Sequence, residues 1–266
     1  MRHGIDVSHH QNWINWKAVK QDGKEFCIMK AMYESSRKPD ECFGKNYQGC
    51  IDNGIDTGIY VYHARQSALD PAGEARAVLN IINGRKLPYG ISLDLEDKNL
   101  RALGQGAIDQ IISVETKMFR DAGYRVYIYC NKDWYDRVID KRWRKQFRFW
   151  IARYPNEDVG VMENRLSPKD FAAAWQYSSK GKVNGINGNV DLDVDFIDMP
   201  NSTEREYTTG MKVVASHALN LRARASNKGA DLGDLPNGTK VFVDRVNGKW
   251  GHIEGWVSLD YMEDDA

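Results

Sequence analysis

GISLDLEDK, residues 90–98, is an apolar run that ends in three acidic residues: Asp94, Glu96 and Asp97. Its apolar half is typical of a buried β-strand. Because successive side chains of a strand point to opposite faces, Asp94 and Glu96 share a face and Asp97 lies off that register. Charge is costly to bury, so this acidic strand end belongs either to a functional cleft or to a solvated surface loop.

Strand-like and helix-like segments alternate on both sides of this stretch. Helical patterns near residues 41–54, 71–83 and 106–122 separate the β-type runs HGIDVS, EFCIMKA, TGIYVYHA, GISLDLE and RVYIYC. The later runs FRFWIARY, FAAAWQYS and NVDLDVDF are joined mainly by loops. Alternating β and α segments predict a parallel sheet with right-handed crossovers. We therefore predict an irregular (β/α)8-type barrel whose last strands are poor in helices, with an open doubly wound sheet as the alternative.

A second domain is predicted beyond residue 200. The polar segment MPNSTEREYTTG, residues 199–210, has the composition of a linker. It is followed by short β-type runs separated by Gly- and Asn-containing turns, namely MKVVAS, ALNLRA, KVFVDRV, WGHIE and GWVSLDYM. The predicted organisation is an α/β barrel domain at 1–200, a linker at 201–210 and a small all-β domain at 211–266.

Composition argues against several classes of protein. The 266 residues contain 37 Lys and Arg against 37 Asp and Glu, so no basic excess indicates a nucleic-acid partner. No run of about 18 apolar residues predicts a membrane span, and no apolar signal segment opens the sequence. We expect a chain made in the cytoplasm that reaches the outside only if it is released. The four cysteines lack zinc-site spacing; buried thiols are expected at Cys27 and Cys130, and a pair of Cys42 with Cys50 stays open.

Acidic residues also occur in the first and last predicted strands. Asp6 lies in GIDVSHH, and Asp191, Asp193 and Asp195 alternate along NVDLDVDF. The first and last strands of a barrel adjoin, so these groups should be neighbours and should raise one another's pKa. In the DLE pair, two residues of strand span about 6.6 Å, within the separation of about 5–9.5 Å between the two carboxyl groups of glycoside hydrolases. A calcium loop fits poorly, because an EF-hand needs Gly where Phe196 stands.

The motifs GIDVSHHQ, IMKA, GIYVYHA, SLDLED, FWIARY, AWQYSS and GNVDLDVDF, in this order, resemble the glycoside hydrolase family 25 lysozymes, which are N-acetylmuramidases. The resemblance covers about residues 3–198. It implies cleavage of the β-1,4 bond between N-acetylmuramic acid and N-acetylglucosamine, with no cofactor. It further implies that Glu96 is the proton donor and Asp94 a nucleophile or an electrostatic stabiliser. Direct attack by Asp94 and assistance by the acetamido group of the substrate both stay open. Asp6 and Asp191 match the remaining catalytic aspartates, with Asp193 as the fallback for Asp191.

Polar and aromatic residues near the strand ends are candidate substrate contacts: Lys30, Tyr62, Tyr129, Trp150, Tyr154 and Gln176. The sequence departs from the family at KAMYESS, where KATEG is usual, and at YVYHAR, which leaves the register of Tyr60 and Tyr62 open. A metal site of His9, His10 or His63 with Asp94, as in barrel deacetylases or amidases, is an alternative. No metal-binding spacing supports it, and we predict no metal.

The segments ALNLRARAS, LPNGTKVFV and NGKWGHIEGWVSLDYM resemble bacterial SH3 domains of the cell-wall-targeting kind, although the usual RxGPS turn is replaced by RARASNKG. The resemblance implies bacterial peptidoglycan as the partner, with Trp250, Trp256 and Tyr261 as candidate wall-binding residues. Together the two resemblances suggest an endolysin of phage or prophage origin. A bacterial autolysin and a non-catalytic wall-binding protein are the alternatives.

Overall fold

The computed structural model describes residues 1–200, 209–243, 245–247, 249–253 and 256–264. These residues form two compact units, the larger of which comprises Met1–Arg144 and Arg148–Pro200. Within the described ranges, no helix is both long and apolar enough to cross a membrane. All four cysteines are buried free thiols, as expected for Cys27 and Cys130, and Cys42 and Cys50 are not paired with each other.

Eight strands close into a barrel in chain order. All neighbouring pairs are parallel except those of the last strand, which runs antiparallel to both of its neighbours. The strands are β1 (Arg2–Val7), β2 (Phe26–Lys30), β3 (Asp56–Tyr62), β4 (Ile91–Asp94), β5 (Val126–Asn131), β6 (Phe149–Ala152), β7 (Ala174–Gly181) and β8 (Val190–Asp195). The predicted irregular barrel is confirmed, and the open-sheet alternative is wrong because β1 pairs with β8.

Helices follow most strands of the first half of the barrel. The three that the sequence predicts are α2 (Phe43–Asp52), α3 (Pro71–Ile82) and α5 (Gln105–Asp121), and shorter helices are α1 (Trp16–Gln21), α4 (Lys98–Arg101), α6 (Lys132–Arg137) and α7 (Lys141–Gln146). Local chemistry explains where α3 begins: the Asp70 side chain accepts a hydrogen bond from the Gly73 amide, and Pro71 occupies the first helical position. The sequence analysis did not predict the shorter helices, whose length gives little periodicity to detect.

Large aromatic side chains fill the barrel interior. The rings of Phe26 and Tyr89 stack with centroids 4.3 Å apart, and Trp150 is 2% exposed in the same cluster. Gly4 makes room for this packing, because a Cβ atom there would lie 2.3 Å from Cε2 of Phe26. The interior is therefore a packed core, and space for a substrate is left only at the ends of the barrel.

The smaller unit consists of short antiparallel strands. They are β9 (Thr209–Val213), β10 (Ala218–Arg222), β11 (Asp231–Pro236), β12 (Lys240–Val243), β13 (Arg245–Asn247), β14 (Trp250–His252), β15 (Trp256–Ser258) and β16 (Met262–Asp264). They form a sheet of order β11-β10-β15-β14-β13 and another of order β12-β9-β16, around a core of Val213, Ala215, Leu219 and Val257. The predicted linker at 201–210 falls largely outside the described residues, and β9 begins two residues before the predicted domain start. The assignment of the smaller unit to the bacterial SH3 class stays a prediction.

Candidate active site

The four predicted catalytic acids lie at one end of the barrel, where β1 to β7 terminate: Asp6, Asp94, Glu96 and Asp191. Asp94 is the last residue of β4, and its backbone neighbours are Tyr62 and Tyr129. Asp6 on β1 is the register partner of Asp191 on β8. Because β8 is antiparallel to its neighbours, it is the beginning of this strand that reaches the rim. Asp191 therefore lies at the same end as the carboxyl terminus of β4.

The carboxyl groups at this rim influence one another. Burial raises the pKa of Glu96, and the charge of Asp191 raises it further. Burial followed by repulsion from Glu96 raises the pKa of Asp94 well above its usual value. Burial and the charges of Asp191 and Asp193 do the same for Asp6. Residues from β1, β4 and β8 thus share one electrostatic environment, in which protons are retained at a higher pH than usual.

The four predicted catalytic residues differ in exposure. Asp6 and Asp94 are 6% and 5% exposed, whereas Glu96 and Asp191 are half-buried. Burial raises the pKa of Asp191 to about 6, although a hydrogen bond with Asp6 acts in the opposite direction and lowers this pKa. The more accessible carboxyl groups, Glu96 and Asp191, are those that a ligand at the rim meets first.

Gln176 holds Asp6 in place from β7. Its Nε2 donates a hydrogen bond of 2.6 Å to Oδ2 of Asp6, and its Oε1 accepts one of 2.7 Å from the hydroxyl of Tyr129. The hydroxyl of Tyr154 donates to the same Oε1. Gln176 and Tyr129, two predicted substrate contacts, are 3% and 6% exposed, so they lie below the surface of the rim. Their role in substrate binding stays a prediction. Tyr154 is 36% exposed and lies at the edge of the network.

The three aspartates of β8 occupy different depths of the barrel. Asp193 is fully buried and accepts a hydrogen bond of 2.8 Å from Nε1 of Trp150. Asp195, also fully buried, accepts one of 3.0 Å from the hydroxyl of Tyr89. Asp191 alone among the three is half-buried at the rim. Trp150, predicted to bind substrate, is instead enclosed in the interior, where its indole supports Asp193.

Lys30 and Tyr62, two further predicted substrate contacts, are the last residues of β2 and β3. Their role in substrate binding stays a prediction. Lys30 Nζ is 3.4 Å from Oε2 of Glu34 and 5.5 Å from the ring centroid of Tyr62. The Tyr62 hydroxyl donates a hydrogen bond of 3.3 Å to Asp97. Both side chains are half-buried and already paired within the protein.

Tyr60 is a further residue of this site that the sequence analysis did not select. It shares the interior face of β3 with Tyr62, and its pKa is raised by burial and by Asp6, Asp94 and Asp191. These carboxyl groups are therefore close enough to act electrostatically on the Tyr60 hydroxyl. The two-residue spacing from Tyr62 was the signal for it, because alternate residues of a strand share a face.

The histidines do not form the alternative metal site with Asp94. His63 directs Nε2 to Oε2 of Glu115 on α5, 2.9 Å away, and His9 directs Nδ1 to Oδ2 of Asp40, 2.7 Å away. Among the described residues, the group spaced closely enough to share a cation is His63, Glu74 and Glu115, which involves none of the rim carboxyl groups. Glu115 had a signal in the sequence, since it interrupts the apolar stripe of α5.

The predicted wall-binding residues belong to the smaller unit. Tyr261 is 53% exposed, and Trp250 is half-buried on β14. Trp256 lies in β15, but its side chain falls outside the described residues. Their role in binding stays a prediction.

Comparison with known proteins agrees with this architecture. A family model described as glycosyl hydrolases family 25 matches residues 5–186. The autolytic lysozyme of Clostridium acetobutylicum is 32% identical over 198 residues, which cover 71% of this chain and 54% of that protein. The chain therefore spans about half the length of this curated relative.

Solved structures share the barrel. The bacterial lysozyme from Streptomyces coelicolor superposes with a TM-score of 0.59 and 25% identity, covering 73% of this chain and 91% of that chain. The modular autolysin LytC from Streptococcus pneumoniae, solved in complex with a synthetic peptidoglycan ligand, has a TM-score of 0.58 and 25% identity. That match covers 72% of this chain and 46% of that chain.

Proposed function

Because the chain belongs to family 25 of the glycosyl hydrolases, we propose that it is a peptidoglycan hydrolase of the muramidase type. It would cleave the β-1,4 bond between N-acetylmuramic acid and N-acetylglucosamine. The observation that carries this proposal is the convergence of acidic side chains from β1, β4 and β8 at one rim of a closed barrel. Its relatives include lysozymes and an autolysin bound to a peptidoglycan ligand, which makes peptidoglycan the proposed substrate.

Glu96 is the proposed general acid. It is half-buried at the rim, and burial together with the charge of Asp191 raises its pKa, so it can keep a proton near neutral pH. Its carboxyl group would give this proton to the glycosidic oxygen as the bond to the anomeric carbon breaks. A water molecule would then complete hydrolysis and return a proton to Glu96.

Asp94 is the proposed stabiliser of the positive charge that develops on the sugar ring. As a carboxylate it favours the oxocarbenium-like transition state, by attacking the anomeric carbon or by assisting the acetamido group of the substrate. Glu96 raises the pKa of Asp94, so the two groups compete for a proton. Catalysis requires this proton on Glu96 and the negative charge on Asp94.

Asp6 and Asp191 are proposed to orient the N-acetyl group and to tune Glu96. The hydrogen bond from Gln176 fixes Asp6, so this carboxyl group is a rigid acceptor beneath the cleft. Asp191 lies closer to solvent, and its charge raises the pKa of Glu96. Loss of either aspartate should therefore weaken catalysis without removing the proton donor.

Substitution of the general acid tests the proposal. Glu96→Gln keeps the shape of the side chain but has no proton to give, so release of reducing ends from purified walls should fall at least about a hundredfold. Glu25→Gln, which changes an acid paired with Arg2 at the opposite end of the barrel, is the matched control and should keep most of the activity.

Two results would contradict the proposal. A folded Glu96→Gln protein with most of its activity would show that another group is the acid. Mass spectrometry of the fragments identifies the bond, and release of acetate or of new amines instead of reducing ends would indicate a deacetylase or an amidase.

For the smaller unit we propose a wall-tethering role. Its sequence resembles bacterial SH3 domains, and the exposed ring of Tyr261 offers a surface for a wall component. A tethered hydrolase works at a high effective concentration on an insoluble substrate. Such an arrangement suits an enzyme that acts at the bacterial cell wall, as an endolysin does.

The tether is tested by co-sedimentation with walls. Tyr261→Ala should lower the sedimenting fraction of the full chain and leave turnover of soluble muropeptides unchanged. Leu232→Ala, which removes a similarly exposed apolar side chain from β11, serves as the control. Equal sedimentation of the two variants would argue against Tyr261 as a binding residue.

A further inference from the structure

A buried ion pair lies directly behind the strand ends that carry the proposed catalytic acids. His63 follows β3, and its Nε2 is 2.9 Å from Oε2 of Glu115 on α5, with both side chains fully buried. The backbone amide of His63 donates a hydrogen bond of 3.0 Å to the carbonyl oxygen of Asp94. The pair is thus joined through the backbone to the last residue of β4.

The histidine of this pair is positively charged at neutral pH. Burial alone would lower the pKa of His63, but Glu115 above all, and then Glu74 and Asp94, raise it to about 9. Glu74 lies on α3, is 1% exposed and accepts a hydrogen bond of 3.0 Å from Ser67. An imidazolium has no lone pair for a metal ion, so His63 would have to lose this proton before its Nε2 could bind one.

This charge acts on Asp94 from outside the barrel. Burial is the largest influence on the pKa of Asp94, followed by repulsion from Glu96, and both raise it. The strongest opposing influence is His63, ahead of Lys30, while Glu34 raises the pKa slightly further. A cation fixed in the helix layer therefore does more for the ionised form of Asp94 than the lysine at the rim.

We propose that His63, held as an imidazolium by Glu115, is a positioning residue that opposes protonation of Asp94 and so shifts the proton of the Asp94 and Glu96 pair toward Glu96. The inference rests on the proposed function, which needs a protonated Glu96 beside an ionised Asp94. Burial alone would favour the opposite arrangement, because Asp94 is the more enclosed of the two carboxyl groups. The buried cation opposes that preference without contacting the substrate.

Replacing the pair by apolar side chains tests the inference. The double variant of His63→Leu and Glu115→Leu removes both charges and keeps the site filled, which cores often tolerate. Without the cation, Asp94 ionises only at higher pH. The acid limb of the pH profile of kcat/KM should therefore move to higher pH by about one unit. Activity measured on that limb should then fall about tenfold, while KM at the optimum changes little.

Two further measurements keep the test decisive. Thr116→Val alters a neighbouring buried residue of α5 without changing charge, and its acid limb should stay in place. Glu115→Gln keeps the shape of the pair and should move the limb in the same direction as the double variant. It therefore replaces the double variant if that protein does not fold.

Direct titration of His63 by NMR in the full chain is independent of activity. We expect the ring to stay protonated beyond pH 8 in the unaltered protein and to lose its proton at lower pH in Glu115→Gln. A neutral His63 at pH 7, or an unmoved acid limb in a folded variant, overturns the inference. A chain that cleaves no peptidoglycan overturns the proposed function instead, and the titration still reports on the ion pair.

Discussion

Identical acidic residues at this site behave differently because their hydrogen-bond partners differ. Asp6 is held by the amide of Gln176, and Asp193 by the indole of Trp150. Asp195 accepts bonds from the Tyr89 hydroxyl and from two backbone amides beyond the strand. Each bond satisfies a carboxyl group that burial would otherwise penalise, so the partners determine which aspartates are structural and which can face a ligand.

Gln176→Leu is the residue-scale prediction. The change keeps the side-chain volume but removes the donor to Asp6 and the acceptor for Tyr129. Since a hydrogen bond to a charged group contributes about 1.5–3 kcal/mol, kcat/KM should fall roughly ten- to a hundredfold. The rate of reducing-end release by the folded variant measures this loss.

An exposed glutamine provides the comparison for that experiment. Gln48 lies exposed on α2 and donates a hydrogen bond to Asp52 in the same helix, so Gln48→Leu should leave kcat/KM unchanged. Equal kcat/KM values for Gln176→Leu and Gln48→Leu would mean that the hydrogen bonds of Gln176 with Asp6 and Tyr129 have no catalytic importance.

At the scale of elements, the direction of β8 decides which end of that strand joins the active site. Val190 to Asp195 run antiparallel to β1 and β7, so the first aspartate of the strand reaches the rim and the last lies at the opposite end. A parallel β8 would have reversed this order. The register of Asp6 with Asp191 thus depends on strand direction as much as on side-chain alternation.

Close packing between β1 and β2 gives the prediction at this scale. Gly4→Ala places a methyl group against the ring of Phe26, where a Cβ atom would lie 2.3 Å from the ring. Overpacking of this kind costs about 1–3 kcal/mol, and the free energy of unfolding should fall by that amount in urea titrations.

Gly106→Ala is the matched control for the strand substitution. Gly106 lies in the first turn of α5, and apart from its chain neighbours and the backbone of the helix itself, no atom lies within 4 Å of the place that an alanine methyl group would take there. Alanine should therefore raise helix stability by up to about 1 kcal/mol. We expect the free energy of unfolding to fall in Gly4→Ala and to rise in Gly106→Ala. A stabilising Gly4→Ala would show that the barrel interior has room that the structure does not indicate.

For the whole molecule, the acidic rim lowers stability while serving the proposed chemistry. Burial raises the pKa of Asp191 to about 6 from an ordinary value of 3.8. Below pH 3.8 both the folded and the unfolded chain hold this proton, so Asp191 has no net effect on the free energy of unfolding. Between these values the unfolded chain releases the proton first, and folding becomes less favourable as pH rises.

Asp191→Asn should therefore stabilise the protein above about pH 6 and have no effect below about pH 4. After allowance for partial exposure of the side chain, we expect a gain of about 1–2 kcal/mol at pH 7, or about 3–6 °C in Tm. Thermal unfolding of both proteins across this pH range measures it. A gain that is constant with pH would exclude the titration of Asp191 as its cause.

Local patterns were enough to predict the barrel and its acidic strand ends. Alternating periodicity located the strands and the longer helices, and the short motifs around Asp6, Asp94 and Glu96 indicated the family. These features depend on residues within a few positions of one another, so they can be recognised without a structure. The sequence likewise indicated that Asp6 and the aspartates of NVDLDVDF would be neighbours.

What only the tertiary structure decided was the direction of β8, the depth of each aspartate along it, and the partners of His63, Gln176 and Trp150. His63 and Glu115 are 52 positions apart, and Gln176 is 170 positions from Asp6. Whether a polar side chain faces a substrate or supports another residue depends on what packs against it. In a closed barrel those contacts are made by distant strands and helices, which no local pattern specifies.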